Sequence, residues 1–147
     1  FINNPIIEFN TIYHDYKWKV YAVFITNATT AEDNGYFFNY IWRNISEDSF
    51  KQYIKELDSR KLYTTGVDIK PTDKILTLST CLYEFDNARL VVVARMMREG
   101  ESEEINTSLV RLENTVLLNK VCTFDCSEQE SKPVAVGVVV VHIIRDE

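Results

Sequence analysis

Cys81 offers the most chemistry in this sequence, and it closes the strand-like run Lys74 to Thr80. In a strand, side chains alternate between faces, so Thr77, Ser79 and Cys81 share one face and Leu76, Leu78 and Thr80 the other. A thiol at a strand end with small hydroxyls behind it leaves room for an extended substrate, while the leucines anchor the strand. After a seven-residue loop, Arg89 opens the next strand-like run, which ends at Met97. A hairpin between the two runs brings Cys81 and Arg89 to the same end of a sheet, within side-chain reach. A guanidinium there eases formation of a thiolate and offers fixed donors to an oxyanion or a substrate carbonyl. A free cysteine is more often a small buried hydrophobe, so on these residues alone the structural reading of Cys81 stands beside the nucleophilic one.

Other candidates are weaker. Cys122 and Cys126 are spaced C-x3-C, and the chain holds three Cys and two His, widely scattered. Structural zinc wants four ligands, so no metal is expected. A Cys122–Cys126 disulfide outside the cell or two plain thiols both remain open. His14 falls in a turn signal with Asp15, and His142 in a Val-rich run. The first reads as solvated, the second as a buried, partnered side chain or an edge residue. A proton carrier has to lie within hydrogen-bond reach of Cys81, directly or through one water, and nothing in the sequence puts either histidine there.

The elements that must position these groups can be read from patterning. At 147 residues the chain reads as one domain. Its net charge of −6 offers no basic stripe for phosphates, so nucleic acid is not an expected partner. No apolar run reaches the ~18 residues of a membrane span; the longest, Val134 to Ile144, is interrupted by Gly137 and His142. No signal peptide is visible, as in a mature or trimmed ectodomain. Ile6 to Tyr13 and Trp18 to Thr26 read as a strand pair. Ser46 to Arg60 reads as a helix, with Ser46 as N-cap, Glu47 and Asp48 in the first turn, and Phe50, Tyr53, Ile54 and Leu57 forming an apolar stripe. Val67 to Ile69 reads as a short strand, and Tyr36 to Ile45 is aromatic-rich without a period. Asn106 to Val121 reads as a hairpin around Glu113-Asn114, Cys122 to Pro133 as a polar loop, and Val134 to Ile144 as a buried strand. Strands, one helix, then strands favour a mostly β, antiparallel barrel or sandwich with a flanking helix.

Thr77-Leu78-Ser79-Thr80-Cys81 matches the T-L-x-T-C signature of sortases, with the central Ser typical of class B, and Arg89 stands where that family's catalytic Arg opens the next strand. Ile6 to Thr26, Ser46 to Arg60, Leu62 to Lys74 and Arg89 to Arg95 also resemble class B members, over roughly residues 1–101. The resemblance implies a sortase-like β-barrel with flanking helices, here short of its N-terminal strands, in which Ser46 to Arg60 matches the helix before the cysteine strand. It implies a cysteine transpeptidase on the extracellular face of the Gram-positive cell membrane, with its anchor outside this chain. Cys81 is then the nucleophile and Arg89 the stabiliser of the oxyanion or substrate, and Ser79 lines the groove. The implied partners are a sorting-signal peptide of secreted proteins and an amine of peptidoglycan or a pilin. No metal or organic cofactor is implied.

Two features depart from that pattern. The family's catalytic His comes after a Tyr-Gly in an earlier strand, and no Tyr-Gly-His occurs here. A catalytically silent module that binds sorting peptides is therefore the alternative reading. Residues 102–147 form an unrecognised, β-rich extension whose apolar run would be an aggregation hazard if exposed, which points to a covered strand, a dimer or strand exchange. An unrelated thiol enzyme lacks a motif of its own, since neither Cys-Gly-Ser-Cys nor Cys-x-x-Cys occurs.

Overall fold

The computed structural model describes residues 3–29, 38–42, 46–82 and 87–113, and the backbone of 140–144. Its frame is a curled antiparallel sheet of five strands: β1 (Ile6–Glu8), β2 (Lys17–Asn27), β4 (Ile75–Cys81), β5 (Ala88–Met96) and β7 (Val140–Ile144), in the order β1-β2-β5-β4-β7. A second, two-stranded sheet pairs β3 (Tyr63–Thr64) with β6 (Arg111–Leu112), and the helix α1 spans Glu47–Arg60. The cysteine strand is thus interior, with β5 on one side and β7 on the other.

Register decides what shares a face. Thr26, Arg89 and Cys81 form one rung, Phe24, Val91 and Ser79 the rung two residues on, and Ala22, Val93 and Thr77 the next. Phe24, Val91, Val93 and Ile75 on this face pack with Phe50, Tyr53 and Leu57 of α1 and with Phe38. The opposite face buries Trp18, Leu76 and Ala94, against which Leu78, Ile7 and Phe9 rest. A register shift between Val20 and Ala22 lets Tyr21 join the helix side of the core.

The helix forms where its sequence predicts. Ser46 sits extended at φ −67° and ψ 162°, and its hydroxyl accepts from the Ser49 N–H, satisfying an orphan donor. Glu47 and Asp48 lie at the positive end of the dipole and pair with Lys51. The stripe Phe50, Tyr53 and Leu57 is buried, and the helix ends as the Lys61 N–H donates to the Leu57 carbonyl at 2.9 Å.

Several local expectations change. The first strand stops at Glu8, and Ile12 and Tyr13 are exposed in the turn after it. That turn is held by the Thr11 hydroxyl, which accepts from the Tyr13 and His14 N–H groups, so local side-chain bonding competes with the ladder. Val67 to Ile69 forms no strand; pairing in that region falls on Tyr63–Thr64. The region from Asn106 begins with a 3-10 turn, Thr107–Leu109, and Arg111–Leu112 pairs with β3. Leu109 lies over Gly66, whose φ of +71° and closeness to the leucine both favour a residue without Cβ. Strands from both 1–101 and 102–147 share the sheets, since β6 pairs with β3 and β7 with β4. The remainder of the expected hairpin, the loop with Cys122 and Cys126, and the first part of the Val134 run lie outside the described residues.

Candidate functional site

Cys81 ends β4 directly opposite Arg89, the second residue of β5. Directly opposed residues in an antiparallel pair point to the same face with their Cβ atoms about 4.5–5.5 Å apart. The hairpin therefore places Cys81 and Arg89 opposite each other at one end of the sheet. Cys81 is a free, half-buried thiol. The Arg89 guanidinium donates through Nη1 to the Ala88 carbonyl at 2.9 Å. The same carbonyl accepts from the Leu82 N–H at 3.0 Å, and the Asn87 carbonyl accepts from the Ala28 N–H at 2.9 Å. These bonds tie the start of β5 to β4 on one side and to the end of β2 on the other.

Ser79 and Thr77 are placed differently from the expectation of an open floor. They are 3% and 1% exposed. The Tyr40 hydroxyl meets the Ser79 hydroxyl at 2.8 Å, and Tyr40 stands edge-on to Phe24 with 6.4 Å between centroids. Phe38 stacks on Tyr53, and Trp42 tilts against the same ring. Phe38, Tyr40 and Trp42 thus stand over the face that carries the hydroxyls, and Cys81, at the end of that face, is half-buried. The Tyr53 hydroxyl and Thr77 Oγ1 are both buried without a well-formed hydrogen bond. Burial pushes Tyr53 up to about 12, and a nearby Thr77 hydroxyl tempers the rise.

Neither histidine stands on the Cys81 rung. His14 lies in the turn before Lys17, the end of β2 remote from the Thr26–Arg89–Cys81 rung. Nine residue-to-residue steps along β2 separate Lys17 from Thr26, a span of about 30 Å. His142 is in register with Thr77, four residues from Cys81 along β4, which is about 13 Å between backbone positions. The His14 separation exceeds direct or one-water proton transfer, and the His142 backbone stands off the Cys81 rung.

A charged cluster that sequence patterning missed stands at the opposite end of β4. Arg95, opposite Ile75, is 1% exposed. It forks onto both Glu101 oxygens at 2.6 Å and donates to the Asp68 carbonyl at 2.7 Å. Arg98 forks onto Asp73 at 2.7 and 2.9 Å and reaches Asp68 at 2.9 Å. Lys19 pairs with Glu101 at 2.9 Å. Hydrogen bonding from Arg95 holds the Glu101 carboxyl far below its ordinary range. Burial works to raise Asp68, but the Arg98 and Arg95 guanidinia outweigh it and lower that carboxyl too. The cluster carries three cations and three carboxylates and so is self-neutralising. It pins the Asp68–Asp73 turn that leads into β4 and leaves no charge over for a ligand. Only its partial i,i+3 spacing, Arg95, Arg98 and Glu101, was available as a signal. Among the described residues, no group of three or more His, Cys, Asp or Glu is placed to hold a metal, and no helix is long and apolar enough to cross a membrane.

No protein-family model matches the sequence. The chain is 31% identical over 98 residues to sortase B of Staphylococcus aureus (strain NCTC 8325 / PS 47), and 24% identical over 99 residues to sortase B of Listeria monocytogenes serovar 1/2a. Each match covers 65% of this chain, and the chain spans 37% of the length of each relative. The crystal structure of Clostridium perfringens sortase B matches with a TM-score of 0.52 at 30% identity, covering 65% of this chain and 50% of that one. A Staphylococcus aureus sortase B–substrate complex matches with a TM-score of 0.50 at 26% identity, covering 67% and 44%.

Proposed function

Because about 65% of this chain is homologous to sortase B in sequence and fold, as part of a class B sortase catalytic domain, we propose that it serves as the cysteine-bearing part of a sortase-type transpeptidase. The observation that carries the reading is the single rung on which Cys81 and Arg89 face each other at the end of β4. In the proposed reaction the Cys81 sulfur attacks the threonine carbonyl of a C-terminal sorting signal. The Arg89 guanidinium swings from the Ala88 carbonyl to steady the oxyanion. The amide C–N bond breaks, the leaving amine takes up the proton that the Cys81 thiol gives up, and a thioester remains on Cys81. An amine of peptidoglycan or a pilin then attacks the thioester, forms a new amide and returns the thiol, so that one difficult step becomes two. Staphylococcus aureus sortase B has been solved as a substrate complex, which supports a sorting-signal peptide as the ligand here. Ser79, buried beside Tyr40, supports the groove indirectly by holding the Tyr40 hydroxyl. The working location is the outer face of a Gram-positive membrane.

One observation favours a second reading. The leaving amine needs a proton, and neither His14 nor His142 stands on the Cys81 rung to carry one. A module that binds sorting peptides without turnover fits that arrangement. The two readings separate in one assay, in which peptides of the form N/S-P-x-T-x are titrated for binding while release of their C-terminal part is tracked by chromatography, with and without an added amine. Release that depends on Cys81 is the expected result for a transpeptidase. Saturable binding with no release assigns the silent module, and absence of both sinks the two readings together.

A further inference from the structure

We infer that Asn87 is a positioning residue for Arg89, acting through its left-handed backbone, an inference that rests on the proposed role of the Cys81–Arg89 rung. Asn87 has φ of 60°, the one positive value at a non-glycine among the described residues. In that region Cβ crowds the backbone, so glycine and asparagine enter it readily and β-branched residues resist it. The position matters because of the two carbonyls that begin there. The Asn87 carbonyl accepts from the Ala28 N–H at the end of β2, and the Ala88 carbonyl accepts from both the Leu82 N–H and the Arg89 guanidinium. The left-handed residue is therefore the point at which the chain is turned into β5 so that these two carbonyls face β2 and β4. One of them is the resting seat of the guanidinium, one residue from the rung it shares with Cys81. If Asn87 leaves this conformation, the Ala88 carbonyl rotates, and the seat and the rung move together. The buried neighbours Ala88, Val91 and Val93 hold the remainder of β5 in place, so the disturbance is confined to the site end of the strand.

The test compares Asn87→Gly and Asn87→Val with Arg89→Ala and with the double variant Arg89→Ala/Asn87→Val, all in the full chain. The first readout is the rate at which Cys81 is alkylated by iodoacetamide at neutral pH, resolved from the other cysteines by peptide mapping. The second is kcat and KM for sorting-peptide cleavage, and the third is the thermal midpoint. Asn87→Gly is expected to match the wild type. Asn87→Val is expected to slow Cys81 alkylation and lower kcat by about tenfold, the change that a left-handed penalty of the usual size gives, with KM and the thermal midpoint little moved. In the Arg89→Ala background it should add nothing. Full additivity on Arg89→Ala, equal damage from glycine and valine, or a fall in midpoint without a change at Cys81 would each overturn the inference. If Arg89→Ala itself leaves Cys81 alkylation unchanged, the reading of the rung fails and the inference falls with it. An effect of Arg89→Ala without one of Asn87→Val sinks the inference alone.

Discussion

At the scale of the residue, the relation between Cys81 and Arg89 is set by backbone pairing and so survives any side-chain motion: the two are rung partners. Arg89→Ala is expected to lower kcat roughly 10²–10³-fold, the usual loss on removing one oxyanion donor, while the chain remains able to bind peptide. Arg89→Lys should recover little of it, because a point charge does not reproduce the planar fork; steady-state kinetics on the two variants checks both statements. Tyr40 supplies a separate test. Tyr40→Phe leaves the Ser79 hydroxyl buried without its partner, at a cost of about 1–3 kcal/mol. Adding Ser79→Ala should recover most of that loss in denaturant unfolding, since an apolar pair in place of a bonded pair is close to neutral. The rung itself was legible, because side-chain alternation and the short loop between the two runs fix where the strands must meet. Burial of Ser79 was not legible, because Tyr40, which meets its hydroxyl, comes from an aperiodic stretch 39 positions away in the chain.

At the scale of the element, β4 is held at its far end by ion pairs and along both faces by apolar packing. Breaking the buried cluster with Arg95→Met takes the guanidinium fork from Glu101, which keeps Lys19 as its cation, for an expected loss towards the lower end of about 3–5 kcal/mol. The directions of the shifts set the pH dependence. Glu101 and Asp68 titrate lower in the fold than in an unfolded chain, where carboxyls lie near about 4. Their contribution is therefore complete above that value and is lost as pH falls through and below it. The raised Arg95 and Arg98 stay charged throughout this window. The thermal midpoint should fall progressively as pH drops below about 5, from the unfolded carboxyl values downward, and the gap between Glu101→Gln and the wild type, full at neutral pH, should narrow over that range. A midpoint difference that stays constant across the range would contradict this assignment. The helix was legible down to its cap, because Ser46, Glu47, Asp48 and the Phe50–Leu57 stripe are local signals. Leu57→Ala, at a fully buried site, should cost about 2–5 kcal/mol. The ion cluster was not legible, because Asp68, Asp73 and Arg98 meet only after the sheet has formed.

At the scale of the whole molecule, the mostly β character and the antiparallel order came from strand signals, whereas the strand neighbours of β4 needed the structure. A central strand has two edges to satisfy, and here the second is taken by β7, from beyond residue 101. An uncovered edge is a template for pairing with another chain. His142→Pro, opposite Thr77, removes a donor from that ladder, and dimers or larger species by light scattering are the expected consequence. An unchanged monomer with an unchanged thermal midpoint would mean that β7 does not protect the edge. The central claim concerns the other end of β4 and is tested most directly by intact-protein mass spectrometry after mixing the chain with a sorting-type peptide. A transpeptidase built on the Cys81–Arg89 rung should gain a thioester adduct located on Cys81, absent in Cys81→Ala, that disappears when an amine is added. A folded, peptide-binding protein that never gains this mass would contradict it and leave the silent module in its place.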